Sequence, residues 1–137
     1  MTKRILAIDY GEKRIGLAIS DLLGFTVQPL PYLENKNQDF FISALQKIVQ
    51  EKSVEQIVLG LPVSLDGTLG KKALEIQALA QPIQEACRVP VAFQDERFTT
   101  RDAEDFLIEE LNMSRKKRRE IKDALAACLL LEQFLKK

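Results

Sequence analysis

The sequence contains no histidine, and this absence removes several kinds of enzyme chemistry at once. A serine or cysteine nucleophile activated by histidine cannot be built from it. A histidine-ligated zinc site is excluded as well, and the two cysteines, Cys87 and Cys128, are too few for a thiolate zinc site. Carboxylates, lysines, hydroxyl groups and a hard metal ion remain as tools for catalysis.

The chain also lacks an excess of charge of either sign and a long apolar run. Its 20 lysines and arginines balance 20 acidic residues, so any contact with nucleic acid must come from a local cluster of cations. The longest apolar run, residues 124–131, is far shorter than the roughly 20 residues of a membrane helix. We therefore expect a cytoplasmic protein with no membrane partner and with free thiols at both cysteines.

The order of apolar segments predicts an α/β fold. A length of 137 residues with 46% hydrophobic residues suits one domain, spanning residues 1–137, with a core of its own. Three strands come first, and helices then alternate with two more strands, which predicts a sheet with an antiparallel start and parallel later strands. The predicted strands are 5–8, 15–19, 26–33, 57–59 and 90–93, and the predicted helices are 40–52, 71–87 (interrupted near Pro82), 99–111 and 114–134.

Acidic residues stand where two of the predicted strands end. Asp9 follows the first strand, and Asp95 and Glu96 follow the last one. The carboxyl ends of parallel strands meet at one edge of a sheet, which is where α/β proteins place their sites. A carboxylate at the end of a buried strand is costly unless a cation compensates it.

Asp123 is a third candidate acid, on the last predicted helix. Steps of three and four residues align it with Ala127, Leu130 and Phe134, an apolar stripe that faces the protein body. Three converging carboxylates repel one another, and oxygen-only ligation favours Mg²⁺ or Mn²⁺ as the compensating ion. Two such ions can activate water and stabilise a phosphoryl displacement.

Each acid also has a purely structural interpretation. Asp9 could cap the hairpin turn that follows it. Either acid of the 95–96 pair could form an ion pair with Arg97 or Arg101, and Asp123 could be a solvated helix residue. All three acids together are harder to explain in this way than any one of them.

Basic residues form one run in this neutral protein. The run opposes the dipole of the helix that it begins, so it is either a solvated turn or a set of phosphate contacts. Lys13 and Arg14 of the first hairpin could contact phosphates in the same way. The run consists of Arg115, Lys116, Lys117, Arg118 and Arg119.

The segment Asp66–Lys72 looks superficially like a phosphate-binding loop. It fails that pattern because Leu65 occupies the place of the first glycine and Lys72 that of the serine or threonine. We interpret it as a loop that leads into a helix.

Four segments of the chain form a specific combination. They are Asp-Tyr-Gly-Glu-Lys-Arg-Ile-Gly at 9–16, Gly-Leu-Pro at 60–62 with Asp-Gly-Thr at 66–68, Asp-Glu-Arg-Phe-Thr-Thr at 95–100, and Lys-Asp-Ala-Leu-Ala-Ala at 122–127. In this order they resemble the YqgF family of bacterial proteins, also called RuvX, over essentially the whole chain. Members are known as Holliday junction resolvase-like proteins and as pre-16S rRNA nucleases.

The resemblance implies a ribonuclease-H-like fold, with a five-stranded mixed sheet in the order 3-2-1-4-5 and an antiparallel second strand. It implies that Asp9, Glu96 and Asp123 hold Mg²⁺ or Mn²⁺ as a catalytic triad. The implied activity is metal-dependent hydrolysis of nucleic-acid phosphodiesters in 5′-end processing of the 16S rRNA precursor. Expected contacts to the nucleic acid are Lys13, Arg14, Arg97, Thr100 and the run 115–119.

One departure concerns the second acid of the triad. True junction resolvases carry a glutamate after the fourth strand, where this chain has Gly60-Leu61-Pro62. The second acid must then come from Asp95 or Glu96, and strand alternation lets only one of them point inward. Motif alignment and the longer side chain favour Glu96.

Other functions stay open from the sequence. The chain could be a Holliday junction resolvase-like DNA endonuclease, or a ribosome assembly factor that binds RNA without cutting it. An Asp-x-Gly hairpin also begins actin-like and sugar-kinase domains, although 137 residues leave no room for their second lobe. The protein could act as a monomer or as a homodimer.

Overall fold

The computed structural model describes residues 4–21, 26–63, 67–96 and 115–136, with side chains of the last segment described from residue 124. These residues form one five-stranded sheet and four helices. The strands are β1 (Arg4–Tyr10), β2 (Arg14–Ser20), β3 (Val27–Glu34), β4 (Val54–Leu61) and β5 (Val91–Asp95). The helices are α1 (Gln38–Lys52), α2 (Lys71–Gln77), α3 (Ala80–Cys87) and α4 (Arg115–Leu135).

The sheet has the order β3-β2-β1-β4-β5. Strand β2 runs antiparallel to both of its neighbours, whereas β1, β4 and β5 are parallel. This confirms the predicted α/β fold and strand order. Strand β3 lies at the edge, as Pro29 and Pro31 indicate. Pro82 lies in the first turn of α3, where a missing N–H costs no helix hydrogen bond; the helix predicted over 99–111 lies outside the described residues.

Helices cover the two faces of the sheet, and alternation along each strand divides the core into two clusters. On β1, Leu6 and Ile8 belong to the larger cluster, whereas Ile5 and Ala7 belong to the smaller one. The larger cluster contains buried residues of α1, α2 and α3, and the smaller one those of α4. We call these two surfaces of the sheet the α1–α3 face and the α4 face.

The hairpin between β1 and β2 is held in place by its turn and by β3. A Cβ atom at Gly11 would collide with the carbonyl oxygen of Arg14, so the turn needs glycine there. The Asn35 side-chain amide donates to the carbonyl oxygen of Gly11 at 2.8 Å, and its backbone N–H donates to that of Lys13 at 2.8 Å. The loop that follows Asp9 is therefore anchored from both sides.

Cys87 and Cys128 are free thiols, as predicted. They lie on α3 and α4 and pack against different core clusters, so the sheet separates them. Burial raises the pKa of Cys128 to about 12, which makes this thiol unreactive. None of the helices described in the structure is long and apolar enough to cross a membrane.

Candidate metal centre

Asp9 lies inside β1, one residue before its end, and pairs with Gly16 of β2. Because side chains alternate along a strand, Asp9 shares the α4 face with Ala7. Its carboxylate accepts a side-chain hydrogen bond from Glu96. This contact joins residues of two strands that are not neighbours, which a simple cap of the hairpin turn would not produce.

Glu96 directly follows β5 and extends its pairing with β4. The Glu96 N–H donates to the carbonyl oxygen of Leu61 at 3.0 Å, in register with the pairs Gly60–Gln94 and Leu61–Asp95. Alternation along the strand puts Glu96 on the same face as Gln94 and puts Asp95 on the other. The structure thus brings Glu96 to Asp9, and Asp95 faces away from it.

Gly60 supplies the space that the Glu96 carboxyl group occupies. A Cβ atom at position 60 would collide with Cδ of Glu96 and would lie 2.6 and 2.7 Å from its two oxygens. Any side chain at this position would therefore displace the carboxyl group. Gly60 is therefore the residue that admits the Glu96 side chain from the neighbouring end of β5.

Burial and a neighbouring negative charge both disfavour ionisation of the Glu96 carboxyl group. Burial raises the pKa of Glu96 to about 9, helped by the hydrogen bond to Asp9 and the negative charge of Asp9, while the positive charge of Lys72 opposes the rise. A shared proton relieves the repulsion between two carboxyl groups in contact, because both cannot easily ionise. A divalent cation would replace that proton.

Two further residues near the pair were missed by sequence reasoning. Lys72, in the first turn of α2, lowers the pKa of Glu96 and lies 3.9 Å, Nζ to Oε1, from Glu12 of the hairpin loop. Gln94 pairs with Gly60, and its buried side-chain oxygen has no hydrogen-bond partner among the residues that the structure describes. Sequence analysis gave neither residue a role at the site, because Gln94 reaches it through the order of the sheet and Lys72 through the placement of α2.

The remaining predicted site residues fall into two groups. Lys13 and Arg14 are exposed at the hairpin, and the Arg14 guanidinium lies 5.2 Å from the centre of the Tyr32 ring. Arg97, Thr100 and the side chains of 115–119 and of Asp123 lie outside the described part of the structure. Asp123 itself is one helical turn before Ala127, which packs on the α4 face. Among the described side chains alone, no group of three acids or other ligands could hold a metal ion.

Comparison with known proteins decides the family. Residues 3–137 match the RuvX family, described as Holliday junction resolvase. The chain belongs to this family. A relative from Syntrophomonas wolfei is 47% identical over 132 residues, which cover 96% of this chain and 93% of the relative. One from Caldanaerobacter subterraneus is 39% identical, with 96% and 95% coverage. Each carries the name "Putative pre-16S rRNA nuclease".

Solved structures agree with this family assignment at the level of the fold. Thermus thermophilus RuvC superimposes with a TM-score of 0.62 at 13% identity, covering 96% of this chain and 93% of RuvC. The fowlpox virus resolvase, in complex with Holliday junction DNA, gives 0.62 at 12% identity with 97% coverage of both chains. The ribonuclease-H-like fold is thereby confirmed. As a RuvX-family protein, the chain is a nuclease, a hydrolase of phosphodiester bonds.

Proposed function

We propose that residues 1–137 form one nuclease domain that hydrolyses the 16S rRNA precursor during processing of its 5′ end, with Mg²⁺ or Mn²⁺ as cofactor. The names of the relatives support the substrate. The observation that carries the metal requirement is the contact of Asp9 with Glu96 above Gly60. Precursor processing of this kind takes place in the cytoplasm, where we expect the protein to act.

The residues around the pair fit a divalent cation. Both carboxyl groups offer oxygen ligands, which Mg²⁺ and Mn²⁺ prefer. The buried oxygen of Gln94 would accept from water in the hydration shell of the ion. We assign the cation to Asp9, Glu96 and Asp123. Asp95, the alternative to Glu96, ranks second because it lies on the other face of the sheet. When bound, the ion activates the attacking water and stabilises charge on the displaced oxygens.

Positively charged side chains of the protein would position the nucleic acid at the candidate metal centre. Lys72 carries positive charge beside Glu96, where it would hold a non-bridging oxygen of the scissile phosphate and favour the ionised carboxylate. Lys13 and Arg14 would contact neighbouring phosphates of the same nucleic-acid strand, where it passes the β1–β2 hairpin. The same role is proposed for Arg97, Thr100 and the basic run 115–119.

A metal titration of cleavage tests this function. Wild type and Asp9→Asn would be assayed on precursor 16S rRNA with increasing Mg²⁺ or Mn²⁺. Loss of one ligand carboxylate should remove several kcal/mol of transition-state stabilisation, or about 10³-fold in rate. The amide is nearly isosteric, so circular dichroism and thermal unfolding should show an intact fold. Undiminished cleavage by the pure variant would overturn the metal assignment.

A second candidate function is junction cleavage, which the description of the family favours. A four-way DNA junction in the same assay separates the two candidates. Faster metal-dependent cleavage of precursor rRNA supports the first, and selective cleavage of the junction supports the second. Salt-sensitive RNA binding without cleavage of either substrate would instead indicate an assembly factor that does not cut RNA.

A further inference from the structure

A polar cleft of about 380 Å³ lies between the β1–β2 hairpin and the end of β3. It is lined by hairpin residues 12–14, by Tyr32 and by residues 34–36; we call it the hairpin cleft. Neither the metal ligands nor the core uses it. Its lining combines three cations, two acids, an amide and an aromatic ring, which is a composition suited to a ligand with both charged and flat parts.

Two of the cations that line this cleft each lie over an exposed aromatic ring: Tyr32, which lines the cleft, and Phe40, which does not. The Arg14 guanidinium lies 5.2 Å from the centre of the Tyr32 ring, and the Lys36 ammonium lies 4.8 Å from that of Phe40. Both rings are 39% exposed. An exposed ring with a cation over one face can stack a nucleobase on its other face while the cation contacts the neighbouring phosphate.

The cleft is held rigidly. Its wall contains Asn35, whose side chain and backbone both bind the hairpin loop. The Tyr10 hydroxyl donates to the side-chain oxygen of Asn35 at 3.4 Å, and the Tyr10 ring packs against buried Phe41 with centres 5.2 Å apart. A surface fixed in this way loses little conformational entropy when a ligand binds.

The position of the cleft relates it to the candidate metal centre. Gly16 pairs with Asp9, and Arg14 lies two residues before Gly16 on β2. Alternation therefore puts Arg14 on the same face as Asp9. The two positions are separated by about 7 Å along the strand, so a nucleic-acid strand at Asp9 would reach the cleft with a nucleotide next to the cut.

We propose that the hairpin cleft binds an unpaired nucleotide segment of the substrate beside the scissile phosphate, with a base stacked on Tyr32. Lys13, Arg14 and Lys36 balance the phosphate charge, and the acids Glu12 and Glu34 can accept from base amino groups. Bases inside a duplex are stacked on one another and cannot present a face to Tyr32. This proposal rests on the nuclease function and narrows its substrate to one with a single-stranded flank.

Binding without metal tests the cleft separately from catalysis. A labelled single-stranded RNA of about 12 nucleotides and a duplex of the same sequence would be titrated with protein in EDTA at constant salt. Tyr32→Ser should weaken single-strand binding about tenfold, which is the loss of one base stack, and leave duplex binding unchanged. Tyr32→Phe should bind as wild type does, because the ring remains.

Leu74→Ser is the matched control, since Leu74 is an exposed apolar residue on α2 that does not line the cleft; its binding should equal that of wild type. Equal binding by Tyr32→Ser and wild type would overturn the cleft proposal alone, as would an equal loss for single strand and duplex. Failure of wild type to bind either RNA would overturn the nuclease function as well. Thermal unfolding of every variant confirms that the fold is intact.

Discussion

The two faces of the sheet differ in what their side chains do. The α1–α3 face carries large, fully buried residues, among them Leu6, Ile8 and Leu59, which pack against three helices. The α4 face is built from smaller residues such as Ala7, Ala18 and Val58. It is also the face on which the Asp9–Glu96 pair lies, together with Gly60, which leaves space for the Glu96 carboxyl group. One surface of the sheet thus provides stability, and the other keeps space for polar groups.

Two adjacent residues of β4 show the same difference between the faces. Leu59 is fully buried on the α1–α3 face, and Gly60 faces Glu96 on the other side. A change at one position should therefore alter stability, and a change at its neighbour should alter activity. Substitutions at these two positions would test whether the faces are as independent as their composition indicates.

The largest free-energy effect is expected from Leu59→Ala. Removal of a fully buried leucine side chain leaves a cavity and costs about 2–5 kcal/mol. Urea unfolding should show this loss, while the cleavage rate per folded molecule stays that of wild type. A variant of unchanged stability with lost activity would show that the α1–α3 face takes part in the site.

Gly60→Ala should have the next largest effect, on activity. The new Cβ would displace the Glu96 carboxyl group, and disturbed metal ligands typically cost about 10- to 100-fold in metal affinity or activity. Stability should change little because Glu96 is flexible enough to swing aside. Isothermal titration with Mn²⁺ and the cleavage assay measure the two losses.

The matched control for that substitution is Gly70→Ala. A Cβ atom at Gly70 meets nothing within 4 Å, so the same chemical change should leave metal affinity and cleavage unaltered. Wild-type metal affinity in Gly60→Ala would contradict the interpretation that Gly60 leaves the space that the Glu96 carboxyl group needs.

The last prediction is a dependence of metal-free stability on pH. The pKa of Glu96 is about 9 in the folded protein against an ordinary value of 4.5, so the folded state binds the extra proton between these pH values. Stability in EDTA should therefore be highest below the lower value and fall as pH rises towards the higher one.

Glu96→Gln should remove the contribution of Glu96 to the pH dependence of stability, because the amide does not titrate. Thermal unfolding temperatures measured from pH 5 to pH 9 in EDTA test this expectation. Glu51→Gln, at an exposed position of α1, should retain the slope of wild type. Identical slopes for Glu96→Gln and wild type would show that Glu96 is already ionised without metal.

Much of the fold was predictable from the sequence because it depends on local patterns. Apolar periodicity located each described strand and helix, and the prolines marked β3 as an edge and the break between α2 and α3. Asp9 was found for the same reason, since it follows an apolar run. Strand β4 is longer than predicted, Val54–Leu61, because its first residues pair with β1 and its last residues pair with β5.

The candidate site was less predictable, because its contacts join residues far apart in the chain. Sequence alignment favoured Glu96, but the alternative Asp95 had the same local context. Lys72 belonged to a segment that fails the phosphate-loop pattern, and Tyr32 had no signal beyond its aromatic ring. None of these roles follows from the residues on either side.

By itself, the sequence determined the element order and, through the absence of histidine, a chemistry left to carboxylates, lysines, hydroxyl groups and metal ions. The tertiary structure alone decided that Glu96 meets Asp9 across the space left by Gly60, that Lys72 adds its charge there, and that Tyr32 stands beside Arg14. The physical reason is that periodicity along a chain fixes local backbone structure and the face on which a side chain lies. Distances between such faces depend instead on strand order, register and packing.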